Sequence, residues 1–265
     1  MIKLNTTKML ASVNEGIGWI TFNNPEKRNA ISLEMWEGLG TLLEEFQNDS
    51  SVKVVVMKGA GGKAFVSGAD ISEFDKSRSN AEQKESYGKV AANANQWLAR
   101  LDKPLIAMIQ GFCIGGGLAT ALNADIRFAT PESTFGIPAA RLGLGYEYAG
   151  LKTLCSLVGP SRAKDIMFSA RFLDADEALG MGLINFIVEK DEIEGRVKEY
   201  AQTIGDNAPL TVKAAKAAIN EAVKDPAKRE MEKIALMIDQ CFNSEDYREG
   251  RRAFSEKRKP LFSGK

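Results

Sequence analysis

Gln110-Gly111-Phe112-Cys113-Ile114-Gly115-Gly116-Gly117-Leu118-Ala119 joins two apolar runs, Pro104 to Ile109 before it and Leu118 to Asn123 after it. The first run reads as a buried strand and the second as a buried helix. Consecutive glycines at a strand-to-helix junction let the backbone approach something closely. They also leave the first helical N–H groups without partners, at the positive end of the helix dipole. Such a junction can hold an anion or a developing oxyanion. It can equally be a tight turn that packs a helix close. The loop alone leaves both readings open.

Outward from this loop, strand and helix patterns alternate. Met9 to Val13 and Ile17 to Phe22 flank Asn14-Glu15-Gly16 and read as a β-hairpin. Ser32 is placed to cap a helix whose buried stripe is Leu33, Trp36, Leu39, Leu43 and Phe46. Val52 to Met57 is a near-continuous apolar strand, as in a sheet covered on both faces. A polar stretch, Ser72 to Ala81, precedes a long helix from Glu82 to Arg100. Asp125 to Ala129, Ser133 to Gly136 and Ile184 to Val188 read as further strands, with helices at Leu151 to Val158, Ser161 to Ser169 and Asp174 to Leu179. From residue 193 the pattern is helical throughout, roughly 193–205, 209–223, 226–242 and 245–256. An α/β core over 1–192 with an all-helical region over 193–265 is expected. Ile234, Leu236, Met237, Ile238 and Phe242 spread over several helix faces, which suits burial against another subunit.

Composition narrows the chemistry. The 265 residues carry 35 Lys and Arg against 35 Asp and Glu, so no global field calls for nucleic acid or an anionic membrane. Apolar runs are shorter than a membrane span. The opening Met-Ile-Lys-Leu-Asn-Thr-Thr-Lys lacks an apolar core and a cleavage site, so no signal peptide is expected. Cys113, Cys155 and Cys241 read as free, mostly buried thiols of a cytoplasmic protein. The chain has no histidine. That excludes Ser-His-Asp and Cys-His nucleophiles, a histidine base and histidine-containing zinc sites. Proton chemistry must use a carboxylate, Lys, Tyr or Cys.

Two loops taken together carry a resemblance: Phe65-Val66-Ser67-Gly68-Ala69-Asp70-Ile71 and Gly111-Phe112-Cys113-Ile114-Gly115-Gly116-Gly117-Leu118. The pairing resembles the crotonase, or enoyl-CoA hydratase/isomerase, superfamily. So do Asn24-Pro25-Glu26-Lys27-Arg28-Asn29-Ala30, Gly159-Pro160-Ser161-Arg162-Ala163 and Glu256-Lys257-Arg258-Lys259-Pro260. The resemblance implies an α/β fold, a spiral of ββα units, and a C-terminal helical region that packs into trimers or dimers of trimers. It implies a CoA thioester as substrate, with no cofactor beyond the CoA that the substrate carries. Two backbone N–H groups that hold the thioester oxygen map onto Ala69 and Gly116. The CoA-binding positions map onto Lys27, Arg28 and Ala30, onto Gly68, Asp70 and Ile71, and onto Gly115. Phe254 and Lys257 are expected to contribute from the C-terminal helix of a subunit; a solvated basic end is the alternative for Lys257.

The same resemblance carries a departure. Hydratases of the family place one glutamate two residues after the last glycine of the loop and another after the proline of Phe-Gly-x-Pro. Those positions are Ala119 and Ala139 here. An ordinary hydratase is therefore not expected. A lysine common after Ala-Asp-Ile is Ser72. Glu147 falls where several other members, among them double-bond isomerases, place a single catalytic carboxylate. The expected activity is double-bond isomerisation of an enoyl-CoA with Glu147 as proton shuttle. A CoA thioester hydrolase or lyase and a CoA-binding protein with little activity are the alternatives. Tyr146 and Tyr148 are candidates to line the acyl pocket or to pack the loop. Tyr87 and Trp97 read as packing, Asp70 as the holder of its own turn, and Arg141 as a possible neighbour of Glu147 or a surface residue.

Overall fold

The structure, a computed structural model, describes residue 2 and residues 4–70, 81–146 and 148–265. Ile71, Ser72 and Glu147 lie outside the described residues, as does the polar stretch up to residue 80.

A hairpin opens the fold: β1 (Met9–Asn14) pairs antiparallel with β2 (Ile17–Phe22). Helix α1 (Leu33–Asn48) follows, its N-cap Ser32 accepting from the Met35 N–H. Then the chain runs three times through one pattern. β3 (Val54–Gly59) is followed by β4 (Ala64–Val66) and helix α2 (Ala81–Arg100). β5 (Leu105–Ile109) is followed by β6 (Phe112–Ile114) and helix α3 (Gly116–Ala121). β7 (Ile126–Ala129) is followed by β8 (Thr134–Gly136) and helix α4 (Tyr148–Ser169). Each pass gives one strand to a six-stranded sheet, β1-β2-β3-β5-β7-β9, and one to a three-stranded sheet, β4-β6-β8. Stacking the passes in parallel register makes the spiral expected from the resemblance.

Short α5 (Ala175–Gly180), capped by Asp174, leads to β9 (Phe186–Ile187). Four helices complete the chain: α6 (Ile193–Gly205), α7 (Pro209–Ala222), α8 (Met231–Asn243) and α9 (Glu245–Ser255).

The inner strands β3 and β5 of the larger sheet are apolar on both faces because both are covered. Val55, Met57, Leu105, Ala107 and Ile109 face the main core with α1 and α3, whereas Val54, Val56, Ile106 and Met108 meet Ile193, Val197 and Ala201 of α6. The helix that opens the C-terminal region thus lies on the sheet. The two helices expected around Gly159-Pro160 are one element broken at Gly159, which has φ 78°. The helix expected over 226–242 begins only at Met231, after a 3-10 turn at Pro226–Lys228.

The three thiols are unpaired, one buried and two half-buried. Burial pushes the Cys113 thiol well above its ordinary range. Since the thiolate is the nucleophile, Cys113 is expected to resist iodoacetamide in the folded protein, while Cys155 and Cys241 react first. Mass spectrometry of partly alkylated protein checks the order. Among the described residues, no helix is long and apolar enough to cross a membrane.

Candidate active site

The first loop leaves β4 through Ser67 to Asp70. Gly68 sits at φ 116°, a backbone shape that glycine alone adopts without strain. Its carbonyl accepts from the Ile31 N–H at 2.8 Å, and the Asp70 N–H donates to the Ile31 carbonyl at 2.9 Å. Ile31 and Ala69 thus form a parallel bridge. In such a bridge the residues on either side of Ala69 make the bonds, so the N–H of Ala69 itself turns to the opposite side.

The second loop leaves β6. The Gly115 N–H donates to the Gly136 carbonyl of β8 at 2.8 Å. Gly115 has φ 56° and ψ −119°, again open to glycine only. Gly116 is the first residue of α3, where an N–H has no intrahelical acceptor. The Ala119 N–H bonds the Gly115 carbonyl at 3.0 Å, which fixes the peptide plane that carries the Gly116 N–H.

These loops meet because β4 and β6 are neighbours. A Cβ added to Gly116 would find the Ala69 nitrogen as its nearest neighbour, at 3.9 Å. The two amides are therefore side by side, and among the described residues neither donates to a protein acceptor. Two adjacent uncommitted backbone donors are what an oxyanion needs. Gly117 has a different task. A Cβ there would lie 2.1 Å from the Val66 carbonyl oxygen, which is backbone and cannot yield cheaply. Gly117→Ala is expected to cost on the order of 3 kcal/mol or more. For a chain of this size that lowers Tm by roughly 6–12 °C, read in a melting curve.

The loop over residues 24–31 is stitched to the first donor loop. The Ser67 N–H donates to the Arg28 carbonyl at 3.1 Å, and the Lys27 ammonium pairs with Asp70 at 2.8 Å. Asp70 is buried. Arg28 places its guanidinium over the Phe112 ring, 4.8 Å from its centre. Asn29 is wholly buried and donates to the carbonyls of Ala60 and Ala64 at 3.0 and 2.8 Å. Lys27, Arg28, Ala30, Gly68, Ala69, Asp70, Gly115 and Gly116 thus come together on contiguous loops.

Other candidates fall elsewhere. Phe254 is 88% exposed on α9, and Lys257 is exposed just beyond it, at φ 54°. Ala119 is half-buried on α3, and Ala139 is buried. Both present only methyl groups, which cannot move a proton. Tyr146 is half-buried against the main core, and its phenol is pushed up by burial. Tyr148 is 79% exposed. Arg141 is exposed and leans on the Phe172 ring. Tyr87 is buried and accepts from the Trp36 indole at 3.1 Å, which is packing as expected. Two supports were not foreseen from the sequence. These are Ile31, which anchors the Ala69 peptide, and Gly136, which anchors Gly115.

Residues 12–265 match the model of the enoyl-CoA hydratase/isomerase family. The short-chain-enoyl-CoA hydratase of Clostridium acetobutylicum is 37% identical over 91% of this chain and 91% of its own length. The crotonyl-CoA hydratase of Syntrophomonas wolfei is 34% identical over 95% of this chain and 96% of its own. A crystal structure described as an enoyl-CoA hydratase/carnithine racemase, from Magnetospirillum magneticum, superposes with a TM-score of 0.91 at 36% identity, covering 98% of this chain and 97% of that one. The expectation that the chain is no ordinary hydratase finds no support in these names, two of which are hydratases. With the fold, the paired loops and the match over nearly its whole length, the chain belongs to the enoyl-CoA hydratase/isomerase family.

Proposed function

We propose that the chain moves a double bond in an enoyl-CoA thioester, with Glu147 as the proton shuttle. The observation that supports this is the pair of amides at Ala69 and Gly116, uncommitted among the described residues, while positions 119 and 139, where the resemblance expects the hydratase glutamates, carry methyl groups. The carboxylate of Glu147 takes a proton from C2 of a 3-enoyl thioester. The C–H electrons flow toward the carbonyl, and the thioester oxygen carries the charge of the dienolate between the two amides. The carboxylic acid so formed returns the proton at C4. Atoms and charge balance without any other reactant.

Lys27, Arg28, Ala30, Gly68, Asp70, Ile71 and Gly115 hold the CoA part in this proposal, and Tyr146 borders the acyl part. Phe254 and Lys257 reach a neighbour's site in a trimer or a dimer of trimers. The exposed Met231, Leu236, Ile238 and Phe242 of α8 support assembly through the 193–265 region. Light scattering behind a sizing column tests that assembly. The composition and the free thiols support a cytoplasmic location.

A second reading, hydration of a 2-enoyl-CoA, is favoured by the names of the two relatives above. Purified protein, assayed separately with a 3-enoyl-CoA and with crotonyl-CoA, separates the readings. Isomerisation raises the absorbance of a conjugated thioester, with no thiol released. Hydration instead bleaches crotonyl-CoA, at rates typical of enzymes, on the order of 10 per second. Release of free CoA thiol would indicate a hydrolase. Binding without turnover would leave a CoA-binding protein.

A further inference from the structure

Lys27 and Arg28 are adjacent in sequence, yet each is attached to a different donor loop. The Lys27 ammonium is held by Asp70, the residue after Ala69. The Arg28 guanidinium carbon lies 4.8 Å from the ring centre of Phe112, which opens β6, the strand that runs into Gly115 and Gly116. A guanidinium has five N–H donors, more than contact with one ring engages. Among the described residues no carboxylate pairs with Arg28. An ammonium has three donors and can hold a carboxylate and a phosphate together.

The loop that carries these cations is stiff. Arg28 and Asn29 are consecutive non-glycine residues at φ 52° and 55°, a conformation that costs on the order of 1 kcal/mol or more at each. It persists because the buried Asn29 amide is bonded on both ends, to Ala60 and Ala64 and from the Asn24 N–H. Two residues on, the Ile31 N–H grips the carbonyl of the very peptide whose other end is the Ala69 N–H. Lys27 and Arg28 are thus joined to the peptide that carries the Ala69 N–H by way of Ile31, and to β6 by way of Phe112.

Resting on the reading of Ala69 and Gly116 as the donors to the thioester oxygen, we infer that the nucleotide end of CoA sets the geometry of that pair. Its phosphates bind between Lys27 and Arg28 and tie the two donor loops together. The nucleotide thereby contributes to polarising the thioester carbonyl, and not to affinity alone. Remote binding energy is spent on aligning the donors at the reacting centre.

The test uses the unmodified protein and a conjugated chromophore, the 4-(dimethylamino)cinnamoyl group, whose absorbance moves to the red when its carbonyl is polarised. It is bound as the CoA thioester and as the N-acetylcysteamine thioester, each titrated to a plateau, and adenosine 3′,5′-bisphosphate is then added to the second. The expected result is a smaller plateau shift for the truncated thioester, raised toward that of the CoA thioester by the bisphosphate. Equal plateau shifts, or a truncated thioester whose spectrum the bisphosphate leaves unchanged, would overturn the inference and leave the donor assignment standing. If the CoA thioester itself shows no red shift, the donor assignment falls and takes the inference with it.

Discussion

Glu147→Gln is expected to lower kcat for isomerisation by about a hundredfold to ten-thousandfold, the usual worth of a positioned acid or base. KM should change little, because glutamine keeps the size of the side chain and the rest of the site is untouched. The reason for so large an effect is that, among the described residues of the two donor loops, the alternatives are few. There is no histidine, and positions 119 and 139 offer methyl groups. Lys27 and Asp70 are paired to each other. Steady-state kinetics with a 3-enoyl-CoA, beside a melting curve to show that the variant is folded, checks this. A variant that keeps most of its activity would mean that another group moves the proton.

Gly116→Pro is expected to cost about 10²–10³ in kcat, the usual loss when one oxyanion donor is removed. Proline suits this position structurally. It is the first residue of α3, where a missing N–H breaks no helical bond and the fixed φ fits the helix. A Cβ at residue 116 meets nothing closer than 3.9 Å. The fold should therefore survive while the N–H proposed to hold the thioester oxygen is lost. Gly117→Ala is the opposite case, one residue on. It leaves the donors in place but drives a methyl group into the Val66 carbonyl. Activity loss with a near-native Tm at 116, against a lowered Tm at 117, separates the two glycines by function. Equal behaviour of the two variants would mean that the glycines share one structural task.

How much of this could be read from the sequence depends on how long each element is. The hairpin, α1 with its Ser32 cap, and β3 carry enough alternation or enough continuous apolar residues to be recognised. Of the smaller sheet only β8, inside Ser133 to Gly136, is read as a strand. β4 and β6 have three residues each, too few to show a period. β6 was further hidden inside the glycine loop, so α3 was expected to begin at Leu118 rather than Gly116. Yet that hidden sheet is what sets the two donor loops side by side. The glycines were legible because a close backbone approach demands them. Ile31 was not, because its contribution is a main-chain N–H and any side chain would serve. Glu147 owes its place in the account to the family resemblance; a lone glutamate in a loop rich in Gly and Tyr has no pattern of its own. Phe254 and Lys257 were named on the same resemblance, and in the single chain they face outward on α9 and just beyond it.

The most direct measurement is a crystal structure with an unreactive acyl-CoA analogue bound. The thioester oxygen is predicted to lie about 2.7–3.1 Å from the nitrogens of both Ala69 and Gly116. The Glu147 carboxyl should lie within about 3–4 Å of the carbons beside the carbonyl, near hydrogen-bonding reach. A thioester oxygen held by neither amide, or a Glu147 side chain turned to bulk water with the acyl chain elsewhere, would contradict the account.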